Sequence, residues 1–173
     1  MIYIYNCYGG THSSALAAAY HLKKIPESTP TKEEILGIDT FNKLKTKDMG
    51  RIIFHGKDNE ENLVYTIGRG RSKALVPAMK NLLLLLQENG EKHEQVILSN
   101  ASPTVPLSMT FGGLFSRRLH IDFIGVPLLI KGAKKTYPNI KKLVEKTKEV
   151  AKSSTNDVEV LDNKELEVNK KLG

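Results

Sequence analysis

The residues that offer chemistry crowd into one short stretch, Cys7-Tyr8-Gly9-Gly10-Thr11-His12-Ser13-Ser14. It follows an apolar, β-rich run from Ile2 to Cys7. It precedes the alanine-rich stretch Ala15 to Lys24, so it reads as a strand–loop–helix turn. Such a turn is how a phosphate cradle is built. Glycines let the backbone approach an anion, amides at the helix start point at it, and hydroxyls add donors. Gly9, Gly10, Thr11, Ser13 and Ser14 are therefore candidate phosphate-binding residues. The plainer alternative is that Thr11, Ser13 or Ser14 caps the helix while Gly-Gly makes the turn. Two adjacent glycines and three hydroxyls exceed what capping needs. A thiol beside a helix N-terminus is activated as a nucleophile, which makes Cys7 a candidate catalytic residue. His12 could steady a thiolate or shuttle a proton. Against these stands the bland fate of a free cysteine, a small buried hydrophobe at a strand end.

Arginine is the second signal. There are five arginines beside 21 lysines, and four of the five form two clusters, Arg69-Gly70-Arg71 and Arg117-Arg118. The planar guanidinium fork suits phosphate and carboxylate, so these four are candidate phosphate ligands. Gly68-Arg69-Gly70-Arg71-Ser72 lies between a strand and a helix start, as the first loop does. Asp39 and His55 are weaker acid–base candidates, each a lone polar residue near an element end.

Two resemblances attach to these residues. Cys7 to Ser14 resembles the C-x-x-G-x-x-[ST]-S loop of the cellobiose-type sugar phosphotransferase B domains, which implies a cysteine that accepts a phosphoryl group. The low-molecular-weight tyrosine phosphatases use a related layout, C-x5-R-[ST]. Here Ser13 stands in the arginine position, so the guanidinium must come from Arg69, Arg71 or Arg117. The nucleotide P-loop pattern fits poorly, with Asn6, Thr11 and His12 standing where its two glycines and lysine belong. Over its length the chain is similar to a small bacterial family described only as a domain of unknown function. That resemblance rests on Tyr8 to Ser14, Gly68 to Ser72 and Gly112-Gly113-Leu114-Phe115-Ser116-Arg117-Arg118, and it implies no activity.

The elements that must hold these loops alternate. Thr31-Lys32-Glu33-Glu34 is a capping box opening a short helix that ends near Gly37. Arg51 to His55 and Leu63 to Ile67 read as an antiparallel hairpin around a polar turn. Ser72 is placed as the cap of a Leu-rich helix with Leu75, Val76, Met79, Leu82, Leu83 and Leu86 in 3.6 period and Leu84 and Leu85 opposite. That helix is buried on both sides or used as a homodimer contact. Gln95 to Ser99 is a strand, followed by a turn through Asn100-Ala101-Ser102-Pro103. A helix runs from about Thr104 to Leu119, with Gly112-Gly113 a weak point or close-packing site. Asp122 to Ile130 reads as a strand covered on both faces, and Gly132-Ala133-Lys134-Lys135 as the loop after it. Tyr137 to Lys152 is an amphipathic helix with Ile140, Leu143, Val144, Thr147 and Ala151 inward. The order points to a three-layer α/β sandwich with a mostly parallel sheet plus a β-hairpin.

Length and charge bound the rest. The 173 residues, 40% apolar and 26% charged, fit one soluble domain. Residues 1–152 are expected to form a phosphate-binding α/β domain carrying +9. Residues 153–173, at −2, are expected to be a loosely docked or flexible tail with Val158 to Leu161 as a short edge strand. The overall charge of +7 favours anionic partners. A single cysteine excludes an internal disulfide framework, and the five histidines lack metal-like spacing, so no metal site is expected. The first six residues lack the basic region of a signal peptide, and no apolar run is long enough to span a bilayer, which points to the cytoplasm. The residues do not name a cofactor. Expected partners are a small anion (phosphate, nucleotide or sugar phosphate) and a second copy through the Leu-rich helix. The eight lysines and two glutamates of Lys131 to Lys152 keep a nucleic-acid partner as an alternative, although a solvated helix face explains them better. Three functions remain open: a phosphoryl-transfer or phosphate-ester enzyme, a non-catalytic sensor of a phosphorylated metabolite or nucleotide, and a nucleic-acid-binding protein.

Overall fold

The computed structural model describes residues 1–90 and 94–168. Five strands form one sheet in the order β2-β3-β1-β4-β5: β1 (Ile2–Cys7), β2 (Ile52–Lys57), β3 (Leu63–Gly68), β4 (Val96–Asn100) and β5 (Val158–Leu161). All neighbours are parallel except the β2–β3 hairpin. The helices are α1 (Ser13–His21), α2 (Lys32–Gly37), α3 (Leu75–Glu88), α4 (Leu107–Gly113) and α5 (Asp122–Ser153), with a π-helical turn over Leu114–Arg118.

Strand alternation divides the core. Tyr3, Tyr5, Val64 and Ile97 face one way, under α1 and α5. Ile4, Ile67, Val96, Leu98 and Val158 face the other, under Leu75, Val76, Met79, Leu83 and Leu84 of α3. Helices thus cover both faces of a mostly parallel sheet, as the alternation of elements implies. At β1 and β3 the chain leaves neighbouring parallel strands toward opposite faces, into α1 and into α3. A crevice opens at the carboxyl ends of strands where such a reversal occurs. Here the two glycine-containing loops singled out above follow the two strands at that reversal.

Several local expectations hold. Thr31 Oγ1 accepts the Glu34 amide, and the Glu34 carboxylate accepts the Thr31 amide, so the capping box is complete. Ile140, Leu143, Val144, Thr147 and Ala151 are all buried on α5. Val158–Leu161 is an edge strand paired with β4. Just beyond it, Asn163 is fully buried and donates from Nδ2 to Ser99 Oγ.

Four expectations need correction. Asp122 to Ile130 is not a strand but the first turns of α5, and Gly132 to Lys135 lies inside that helix. Its inward positions, Gly125, Leu129, Ile130, Gly132 and Ala133, do keep helical spacing. Phe123 and Ile124 are exposed apolar residues on the outside and hide that period in the sequence. The helix expected over 104–119 is a 3-10 turn at Ser102–Thr104, then α4 and the π-helical turn. Ser72 does not cap α3; Ala74 occupies the cap position, without a side-chain bond. On α3, Leu84 packs inward while Leu82, Leu85 and Leu86 stand exposed, so the helix is not buried on both sides.

Candidate functional site

The β1–α1 loop is held by contacts of its own backbone. Gly10 has φ +69°, and a Cβ there would stand 2.7 Å from the Gly68 amide nitrogen. A Cβ at Gly68 would stand 2.8 Å from the Gly9 carbonyl carbon. Only glycine permits this approach. The Arg69 amide then donates to the Cys7 carbonyl (2.9 Å) and the Gly70 amide to that of Tyr8 (2.8 Å). The two loops form one unit at the carboxyl edge of β1 and β3.

Within it, Cys7 is buried at the N-terminal end of α1. Its Sγ accepts the Gly10 amide at 3.2 Å and lies 3.1 Å from Ser14 Oγ. Thr11 is spent on structure: its hydroxyl donates to the Thr40 carbonyl and accepts the amides of Lys43 (3.2 Å) and Leu44 (3.4 Å). No side chain caps α1. Ser13 is fully buried, yet its Oγ has no hydrogen-bond partner. The capping alternative is therefore not what these hydroxyls do. The Ser13 hydroxyl is left without a partner at the start of α1, the end of the helix where the dipole favours negative charge.

His12 is tied elsewhere. Its Nε2 meets Asn42 Oδ1 at 3.3 Å, and its ring packs edge-on against Phe41. Asn42 Nδ2 donates to Ser116 Oγ (2.9 Å), and Ser116 donates to Asp122 Oδ1 (2.5 Å). Burial of the His12 ring lowers its pKa to about 4, with the Asn42 bond opposing the shift and Arg117 adding to it. The imidazole is thus neutral near pH 7, so it offers a hydrogen bond rather than a positive charge.

This chain depends on tight helix packing. A Cβ at Gly112 would lie 2.7 Å from Leu129 N, one at Gly125 2.5 Å from Ser116 N, and one at Gly132 2.8 Å from Met109 N. Gly112 is thus a close-packing site. The three glycines bring α4 and the π-helical turn against α5 and aim Ser116 and Arg117 toward the first loop. π-helical turns recur at functional sites.

The arginines divide. Arg69 adjoins Cys7 through its backbone, donates from Nη2 to Ser102 Oγ (3.1 Å), and keeps a buried Nε with no partner. Arg117 Nη1 donates to the Asn42 carbonyl (2.9 Å), and burial lowers its pKa. Arg71 and Arg118 are exposed, and among the described residues neither side chain is hydrogen-bonded to the first loop. Asn42 is not marked by the sequence at all, Ser116 is marked only as part of the Gly112-to-Arg118 motif, and Asp122 only as the start of an element. The signal available for Asn42 was that asparagine tolerates the left-handed backbone it adopts here, at φ 56°.

Asp39 and His55 line a different cavity of about 340 Å3, with Ala19, Leu22, Lys24 and Ile38. It lies toward the C-terminal end of α1, away from Cys7. His55 Nε2 is 2.8 Å from Thr66 Oγ1, and burial lowers its pKa to about 4. A further buried chain runs from the Tyr5 hydroxyl to His21 Nδ1 (2.7 Å) and from His21 Nε2 to Asp58 Oδ2 (3.0 Å).

Residues 2–149 match the family described as protein of unknown function, DUF3189. The chain belongs to that family. The match spans the sheet up to β4, both glycine-containing loops, Asn42, the π-helical turn and most of α5, so the DUF3189 region contains the whole site. No curated protein and no solved structure matches the chain. No helix among the described residues is long and apolar enough to cross a membrane.

Proposed function

We propose that this DUF3189 chain binds the phosphoryl group of a small anion, such as a phosphate ester, nucleotide or sugar phosphate, at the N-terminus of α1. The observation that carries this reading is the uncapped start of α1 beside a buried, unpartnered Ser13 hydroxyl. A helix terminus buried without partners is otherwise costly, and an anion supplies what it lacks. Gly9 and Gly10 give backbone access, while Arg69, with its free Nε, supplies charge. Arg117 braces Asn42, and the exposed Arg71 and Arg118 contribute positive charge at a distance.

Cys7 is the phosphoryl acceptor in the catalytic form of this proposal. The thiol loses its proton to solvent, its Sγ forms a bond to phosphorus as the donor's P–O bond breaks, and the leaving oxygen takes a proton back from solvent. Its 4% exposure favours the second reading, a sensor that binds without transfer. Isothermal calorimetry with a panel of nucleotides and sugar phosphates tests binding. Mass spectrometry of the wild type and Cys7→Ser tests transfer. Binding together with a phosphoryl adduct that vanishes in the variant supports the enzyme. Binding retained by both proteins without an adduct supports the sensor, and failure of every anion to bind overturns both. A nucleic-acid role is disfavoured because Lys141, Lys146 and Lys152 already face Glu27, Glu165 and Glu60.

A further inference from the structure

A helix with its side chains is about 10 Å across and strands lie about 4.8 Å apart, so one helix covers roughly two or three strands. This sheet has five. On one face α1 and α5 share the task, but on the other α3 is the one helix packed against the sheet among the described residues. It sits toward β5, which it contacts. The Glu159 carboxylate of β5 is held below its ordinary pKa by the Asn156 hydrogen bond first and by the Lys80 charge in addition, so the Lys80 flank of α3 lies on the β5 side.

The other flank borders bare sheet. At about 100° per residue, Leu82 and Leu86 lie roughly 120–160° round the helix from Lys80, toward β3 and β2, while Leu85 is opposite the inward Val76 and Leu83. Ile52 pairs with Ile67 and Phe54 with Tyr65, which puts both β2 side chains on the α3 face. The Phe54 and Tyr65 rings are 5.1 Å apart. Ile52, Phe54, Leu82, Leu85 and Leu86 are each more than half exposed.

We propose that a second copy of this chain docks here, with α3 of each copy lying on the bare β2–β3 face of the other. The surface holds both halves of such a contact, a leucine ridge and an aromatic floor, as two-fold pairing requires. Five large side chains, each about half exposed, present on the order of 500 Å2, and pairing brings the total buried to the order of 1,000 Å2, enough for a specific interface. Little charge must be desolvated, because Lys80 is the one charged residue from Leu75 to Gln87 and it lies on the β5 side. Strand pairing at the β2 edge is a poorer route, since the register shift between Phe54 and Gly56 and the charges of Arg51 and Lys57 interrupt that edge.

Analytical ultracentrifugation of the wild type, Leu85→Glu and Phe54→Glu tests this. Urea midpoints check that both variants fold, as expected at exposed positions. The wild type should sediment as a dimer at micromolar concentration. Each variant should sediment as a monomer, its dissociation constant raised roughly hundredfold or more because the symmetry buries each new carboxylate twice. A wild type that stays monomeric up to about 100 μM overturns the proposal and leaves the face to a different partner. A dimer unchanged in both variants overturns it by placing the contact elsewhere. A dimer lost only in Leu85→Glu overturns the helix-on-sheet arrangement in favour of helix against helix.

Discussion

Gly10 and Gly68 show how much a missing Cβ can decide. Each sits where an added methyl group would meet backbone of the other loop, which cannot rotate away as a side chain would. Gly68→Ala should therefore cost about 2–4 kcal/mol, from overpacking and forced backbone displacement. Gly37 has nothing within 4 Å of its would-be Cβ and lies in α2, so Gly37→Ala should be neutral or slightly stabilising. Urea denaturation of the two variants checks the contrast; equal midpoints would remove the claim that the loops interlock. At this scale the sequence was informative where the residue type itself limits the options. Paired glycines, clustered hydroxyls and a strand-end cysteine announced a loop. Asn42 and Ser116 gave no such sign, because a surface-type polar residue becomes part of a site only through partners 74 residues apart.

Helix packing governs the next scale. Gly125 and Gly132 both let α5 approach the segment before it, but they meet different neighbours, Ser116 and Met109. Gly125→Ala and Gly132→Ala should both lower thermal stability, each by about 1–3 kcal/mol. Only Gly125→Ala should also shift the His12 ring signals, because it displaces Ser116 from Asn42. Identical ring spectra in both variants would separate the packing from the site. These glycines also explain the misread strand. The run from Asp122 to Ile130 is apolar on the face that meets α4 and also on the outside, where Phe123 is 82% exposed. Periodicity carries no information when both faces are apolar. Where one face was charged, as in residues 137–152, the helical pattern was plain. The hairpin and the capping box were legible for the same reason, since each is fixed by neighbours in sequence.

Across the whole molecule, His12, His21 and His55 share a condition that ties stability to pH. Burial is the leading cause of each shift, and each pKa falls from 6.5 to about 4. The unfolded chain binds more protons between those values, so this contribution is complete above pH 6.5 and is lost as the pH falls toward 4. Burial would raise Asp58, but hydrogen bonds from His21 and Asn62 hold it at about 2, so its contribution is lost only below its ordinary value of 3.8. The urea midpoint should be flat above pH 7 and decline below about 6.5, with proton uptake on unfolding. A midpoint constant from pH 7 to 4.5 would show that these rings are not held neutral.

The placement of β1 between β3 and β4 also has a bearing on how the molecule comes together in time. Ile2 pairs with Leu63 on one side and Val96 on the other, so the strand that ends in Cys7 has no local partner. The β2–β3 hairpin can close by itself, whereas β1 must wait for chain far along the sequence, and long-range pairing of this kind is slow. The cysteine and its loop are then among the last parts to be enclosed, so the thiol stays open to oxidants until the sheet zips shut around it.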